Sequence, residues 1–147
     1  MLKPIITAVF CCMVFFCSAQ KQLLTYPELQ SIVQNNPDQI TIFLKGKNYQ
    51  ILPGSNNNNL HFLGLVADED YTDITISFEK RHTIIHLTTT NQPQVAVIQK
   101  YLQSYNGKNS KGSTIYRVKD GAFSTIAIKE NEPKVNSLKV YNIDLEN

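Results

Sequence analysis

The sequence predicts an α+β two-layer domain, an antiparallel sheet with two helices packed on one face. Three observations predict it. Two helix starts stand out by their caps, at Thr25 and Asn91. Most of the remaining chain falls into short, β-branched, alternating runs. The turns between those runs carry hairpin chemistry, which makes neighbouring strands antiparallel.

The first helix opens on Thr25-Tyr26-Pro27-Glu28, a capping box in which the Thr25 oxygen accepts from the Glu28 amide while Glu28 reaches back. Leu24 and Leu29 occupy the positions of a hydrophobic staple, and Leu29, Ile32 and Val33 form the apolar face. Asn35-Asn36-Pro37-Asp38 is expected to stop it. Strands are expected over residues 40–44 and 49–52, joined by the turn Lys45-Gly46-Lys47-Asn48. Residues 60–66 follow an Asn-rich spacer. Ile74, Ile76 and Phe78 alternate with Thr75 and Ser77, and residues 83–89 are β-branched.

The second helix opens on Asn91-Gln92-Pro93-Gln94, the same device with Asn as cap. It carries Val95, Ile98, Tyr101, Leu102 and Tyr105 at helical spacing before Asn106-Gly107 closes it. Residues 114–118 and 122–128 flank Lys119-Asp120-Gly121, a hairpin signal, and residues 138–143 form the last expected strand. The two caps lie 66 residues apart. The strings FLKGKNYQI and RVKDGAFSTI follow the two helices, and strand-loop-strand stretches follow those, as HFLGLV…ITISF and STIAIK…LKVYN. This order suggests two α-β-β-β repeats.

Ahead of the domain, Lys3 precedes an apolar run of 13 residues, 5–17. That is short of the ~20 residues that span a bilayer. Basic start, apolar run and small residues make a secretory signal peptide over residues 1–19, cleaved between Ala19 and Gln20. The alternative is an acyl anchor on Cys17, against which the bulky Phe15 and Phe16 stand. The expectation is an exported protein, periplasmic or extracellular, with residues 20–147 as one domain and no transmembrane segment beyond the signal. All three cysteines (Cys11, Cys12 and Cys17) lie in the signal, so the remaining chain has no thiol chemistry. Lys3 leaves with the signal, and a single excess positive charge remains. No long-range field steers a polyanion to such a chain.

Four constellations invite chemistry. Asp68, Asp70, Thr72 and Glu79 fall at positions 1, 3, 5 and 12 of a calcium loop, but Asp73 stands where the turn requires Gly. A solvated hairpin loop is the better reading. His82 and His86 are four apart on a strand and share a face. With His61 from another strand they would give three imidazoles, enough for zinc with an open position. Glu79 is expected on the opposite side. The plainer reading leaves His82 in a turn and His86 on a polar sheet face. Residues 107–113 lack the Lys of a phosphate-binding loop and run from helix to strand, the wrong way round. Lys108, Lys111, Arg117 and Lys119 near Tyr105 and Tyr116 interleave cations with aromatics, as single-strand binders do. An exported protein seldom meets nucleic acid, and no such partner is expected.

Neither a Gly-x-Ser-x-Gly elbow nor, beyond the signal, a cysteine nucleophile is present. No enzyme activity and no cofactor are expected. The sequence points to a non-enzymatic binding protein, such as an inhibitor or immunity-type partner of another exported protein, using the Thr- and Tyr-bearing sheet face that helices on one side leave open. The alternative is a small-molecule or metal carrier using His61, His82 and His86.

Overall fold

The computed structural model describes residues 22–65, 70–79, 82–118, 120–131 and 139–147. The expected signal, its Ala19–Gln20 cleavage point and Cys17 lie outside them, as do Asp68, Glu69 and Lys119. An α+β domain is formed by an eight-stranded antiparallel sheet and, among the described residues, three helices.

Helix α1 (Tyr26–Gln34) begins as expected: Glu28 accepts from Thr25 N–H at 2.8 Å, closing the capping box. Its end departs from expectation. Asn36-Pro37 stops α1 and immediately starts α2 (Pro37–Gly46), because Asn36 and Gln39 form a second capping box, with Asn36 Oδ1 accepting from Gln39 N–H at 3.0 Å. Proline fits the first turn of a helix, where its missing N–H has no partner to lose. The strand expected over residues 40–44 is therefore helical, and among the described residues the helices number three, not two. The turn at residues 45–48 closes α2. Asn48 takes the left-handed conformation at φ 65°. Tyr49 N–H donates to Leu44 C=O and Asn48 N–H to Lys45 C=O, which makes a Schellman cap.

The strands are β1 (Gln50–Ile51), β2 (Asn59–Leu65), β3 (Tyr71–Glu79) and β4 (His82–Thr89), then β5 (Gly107–Ser110), β6 (Ser113–Arg117), β7 (Thr125–Asn131) and β8 (Val140–Glu146), with α3 (Gln92–Leu102) between β4 and β5. β5 occupies part of the stretch 107–113 expected as a loop between helix and strand. It has no apolar alternation, but Lys111 and Gly112 both have positive φ, 49° and 80°, the two-residue turn that joins antiparallel strands. The order is β1-β2-β3-β4-β8-β7-β6-β5, two four-stranded meanders that meet where β4 pairs with β8.

The α-β-β-β repeat does not describe this order. FLKGKNYQI spans the end of α2 and β1, whereas RVKDGAFSTI runs from β6 through a turn into β7. The later strings align β2 with β7 and β3 with β8, one strand out of step with the meanders.

One face of the sheet is apolar. Phe62, Ile74, Leu87, Ile143 and Ile128 form one cross-strand row, and Leu60, Ile76, Ile85, Leu145 and Ile126 the next. Both rows join Leu29, Ile32, Ile40, Leu44, Val95, Ile98 and Leu102 of the helices in a single core. Strand side chains alternate, and among the described residues the other face is left open. Among the described residues no helix is long and apolar enough to cross a membrane.

The segment entering α1 is strapped down. Leu24 is fully buried. Gln94 Oε1 accepts from its N–H and Gln94 Nε2 donates to its C=O, both at 2.8 Å. Tyr49 donates its hydroxyl to Gln22 C=O at 2.9 Å, and Lys47 Nζ donates to Leu23 C=O at 2.6 Å. Gln94 is thus withdrawn from the cap expected of it. Asn91 makes no side-chain cap; its own N–H donates to Thr89 Oγ1 at 3.0 Å.

Candidate functional site: the open sheet face and a cleft at its edge

The register fixes what the open face carries. One row runs His61, Thr75, His86, Asp144, Ala127, Ile115, Lys108; the row beside it runs Leu63, Asp73, Thr88, Asn142, Lys129, Ser113. Directly opposed side chains share a face and touch, and long ones also reach diagonal neighbours, as His61 does to Asp73. His61 Nε2 meets Asp73 at 2.8 Å. His86 Nδ1 meets Asp144, and its Nε2 lies 3.3 Å from Thr88 Oγ1. Thr88, His86 and Asp144 thus resemble the outline of a nucleophile, base and orienting acid. The single hydroxyl proton of Thr88, however, goes to Asn142 Oδ1 at 3.0 Å. The array is a cross-strand polar ladder and not an activated nucleophile.

The three histidines share the open face but do not converge. His61 and His86 are separated by β3, two strand spacings or about 10 Å, and His82 Nδ1 is engaged by the main-chain oxygen of Asn147 at 2.8 Å. No group of three metal-ligating side chains forms among the described residues. Glu79, expected on the far side from the histidines, sits directly opposite His82 in the β3–β4 hairpin and so shares its face. Paired residues of antiparallel strands share a face, so the alternation of β3 does not carry on through the turn into β4. At the calcium-like stretch, Thr72 is buried against Thr89, with the two hydroxyls 2.8 Å apart. Asp73 is already paired with His61.

The tyrosines overturn one expectation. Of the seven, only Tyr71 belongs to the open face. Tyr26 and Tyr49 are in the core, and Tyr101, Tyr105, Tyr116 and Tyr141 pack against it. Tyr26 and Tyr101 stack at 3.7 Å between ring centroids, and Phe123 meets Tyr26 edge-on at 5.8 Å. The Tyr26 hydroxyl donates to Asp120, whose carboxylate also accepts from Gln30 Nε2 at 3.0 Å and from the Ala122 and Phe123 amides. Burial opposes the charge on Asp120, but the Tyr26 hydroxyl and those two amides hold its carboxyl below the usual range. Burial, and then its hydrogen bond to Asp120, push the Tyr26 hydroxyl well above its ordinary value. The Tyr101 hydroxyl is pushed up to about 12, first by its hydrogen bond with Tyr105 and then by burial.

The chain matches no protein-family model, no curated protein and no solved structure.

At the β5 edge the open face turns into a cleft of about 530 Å³, lined by Ser104, Tyr105 and Asn106 from the α3–β5 connection and by Lys108, Ser110, Ile115 and Arg117 from the hairpin. The basic and aromatic residues that the sequence singled out are partly gathered here: Tyr105, Lys108 and Arg117 line the cleft. Lys111 is in the hairpin turn, and Tyr116 lies on the helical face. Sequence reasoning missed Asp73, Thr88, Asn142 and Asp144 as partners. Only the alternation of β3, read through to Asp73, signalled any of them.

Proposed function

We propose that this protein is an exported, non-enzymatic binding protein that engages another protein through the open face of its sheet. The observation that carries this reading is the face itself. Seven strand spacings and strands of about six residues give roughly 34 by 20 Å, or about 700 Å². That is close to the ~800 Å² each partner contributes to a standard interface. Half-buried Leu63, Ile84 and Ile115 are set among Thr75, Thr88, Asn142 and charged residues, the mixed composition of a non-obligate interface. The His61–Asp73 and His86–Asp144 contacts satisfy each other's polar atoms and hold the side chains in place before a partner arrives. An inhibitor or immunity-type role fits such a preformed surface. The two meanders, each led by a Pro-containing helix start, also favour descent from one duplicated unit, of four strands and not three.

The test is capture of partners from the native source's exported fraction by tagged protein, repeated with Thr75→Arg and Ala127→Arg on the open face and Gln99→Arg on the exposed side of α3. Loss of one stoichiometric partner with the first two, and its retention with the third, supports the reading. A partner retained by all three variants, or lost equally from all, overturns it.

A further inference from the structure

The cleft at the β5 edge lies at the end of the open face, shares Lys108 and Ile115 with it, and gains a wall from the α3–β5 connection. Lys108 is paired with Ile115 across the hairpin, and Arg117 lies two residues along β6 on the same side. The two cations therefore flank one apolar side chain. Among the described residues the ion pairs are Lys47–Glu28, His61–Asp73, His86–Asp144 and Lys139–Glu130; neither Lys108 nor Arg117 takes part. Among the described residues no carboxylate lines the cleft, and the hydroxyls of Ser104 and Ser110 add neutral donors. Its far wall is Tyr105, whose hydroxyl is 3.5 Å from that of Tyr101. Tyr101 is in turn stacked on buried Tyr26, so the aromatic wall is braced from the core. A braced wall loses little freedom when something lies against it. The volume, about 530 Å³, is within the ~300–1,000 Å³ of small-molecule sites.

A second cleft, between α3 and the sheet end, is slightly larger at about 590 Å³. Among the described residues its one charged lining residue, Glu130, is already bound to Lys139 at 2.7 Å, so it offers no free charge to a ligand.

We propose that the β5-edge cleft binds a small organic anion: a carboxylate or phosphate head held by Lys108 and Arg117, with an aromatic or aliphatic body against Tyr105 and Ile115. Arginine takes such heads through two parallel N–H donors, and lysine adds a point charge.

Amide NMR shifts of the purified protein, titrated with benzoate, phenyl phosphate, inorganic phosphate and neutral benzyl alcohol, test it. Benzoate or phenyl phosphate should shift the Tyr105, Lys108, Ser110 and Arg117 signals, with a Kd on the order of 1 mM or tighter for so small a probe. Whichever of the two binds more tightly identifies the head. Lys108→Ala/Arg117→Ala should weaken binding at least about tenfold, whereas Lys129→Ala, a cation on the same face outside the cleft, should leave it unchanged. Should the double variant lose its spectral dispersion, Lys108→Gln and Arg117→Gln singly repeat the measurement. Absence of shifts at these four amides overturns the proposal. So does undiminished binding by the cleft variants, benzyl alcohol binding as tightly as benzoate, or inorganic phosphate binding as tightly as phenyl phosphate. Partner capture is tested at Thr75 and Ala127, which do not line the cleft, so failure of one reading is distinguishable from failure of the other.

Discussion

Gln94 offers Leu24 both halves of its amide, donating to the C=O and accepting from the N–H at 2.8 Å each, across 70 residues of sequence. It does for one residue what a neighbouring strand would do. Both groups are buried, so water cannot replace the lost bonds. Gln94→Ala should cost about 3 kcal/mol, from two main-chain groups left unsatisfied. Thermal unfolding should report a Tm lower by roughly 10 °C. A fall of less than about 2 °C would mean that the strap contributes nothing.

Gly64 is required by its neighbour. A Cβ built there would lie 2.6 Å from Tyr49 Cε1 and 2.9 Å from Cδ1. The Tyr49 ring is buried and its hydroxyl is tied to Gln22, so it cannot swing away. Gly64→Ala should destabilise by about 1–3 kcal/mol through overpacking, read as a lower urea midpoint. A neutral result would show that the ring has room to shift.

Asp120 and Tyr26 set opposite ends of the pH profile. The depressed pKa of Asp120 contributes stability that is complete above the unfolded value, near 3.9, and is lost as pH falls through the lower folded one. Asp120→Asn removes the ionisation. Its deficit relative to the parent should be constant above about pH 5 and narrow below about pH 4. The raised pKa of Tyr26 contributes stability that is complete below the unfolded value, about 10, and is lost as pH rises beyond it. Tyr26→Phe should therefore have a shallower alkaline fall, though not a flat one, because burial also raises Tyr49. Urea midpoints across both ranges check the two slopes. Parallel curves for parent and variants would remove Asp120 and Tyr26 as the cause.

The imidazole–carboxylate pairs on the open face should matter little to stability. His86 and Asp144 keep 43% and 54% of their side-chain surface exposed, and pairs so solvated contribute less than about 1 kcal/mol. His61→Ala and His86→Ala should leave Tm within roughly 3 °C of the parent. Zn²⁺ thermal shifts of the parent, His82→Ala and His86→Ala decide for or against a metal carrier. A shift in the parent that both variants abolish would favour the carrier over the protein-binding reading.

The sequence disclosed the sheet better than the helices. Alternation at Ile74, Ile76 and Phe78 marked β3, with Ile74 and Ile76 on the buried face and Thr75 on the open one; Phe78 is only partly buried against the core. Pro37 misled, because one residue can end a helix and begin the next. Ile40, Thr41, Ile42 and Phe43 have strand propensity, which the Asn36–Gln39 cap and core contacts of Ile40 and Leu44 override. β5 was hidden because Lys108, Asn109 and Ser110 bury nothing. The open-face pairs were illegible for a different reason: Asp144 reaches His86 across 58 residues, a proximity that depends on strand order and not on local pattern. Tyr105, Lys108 and Arg117 were visible as a cluster, but their cleft exists only once the hairpin folds beside the end of α3.

β8 follows β7 in sequence yet lies between β7 and β4, and the residues that join the two meanders, such as Ile84 and Glu146, are about 60 positions apart. A chain synthesised at roughly 5–20 residues per second presents β4 some 3–12 seconds before β8 exists to cover it. During that interval the run His82–Thr89 is an uncovered edge, rich in β-branched residues and open to pairing with any other extended chain. The central seam of the finished sheet is thus its last to close, and aggregation competes with folding for the whole of that delay.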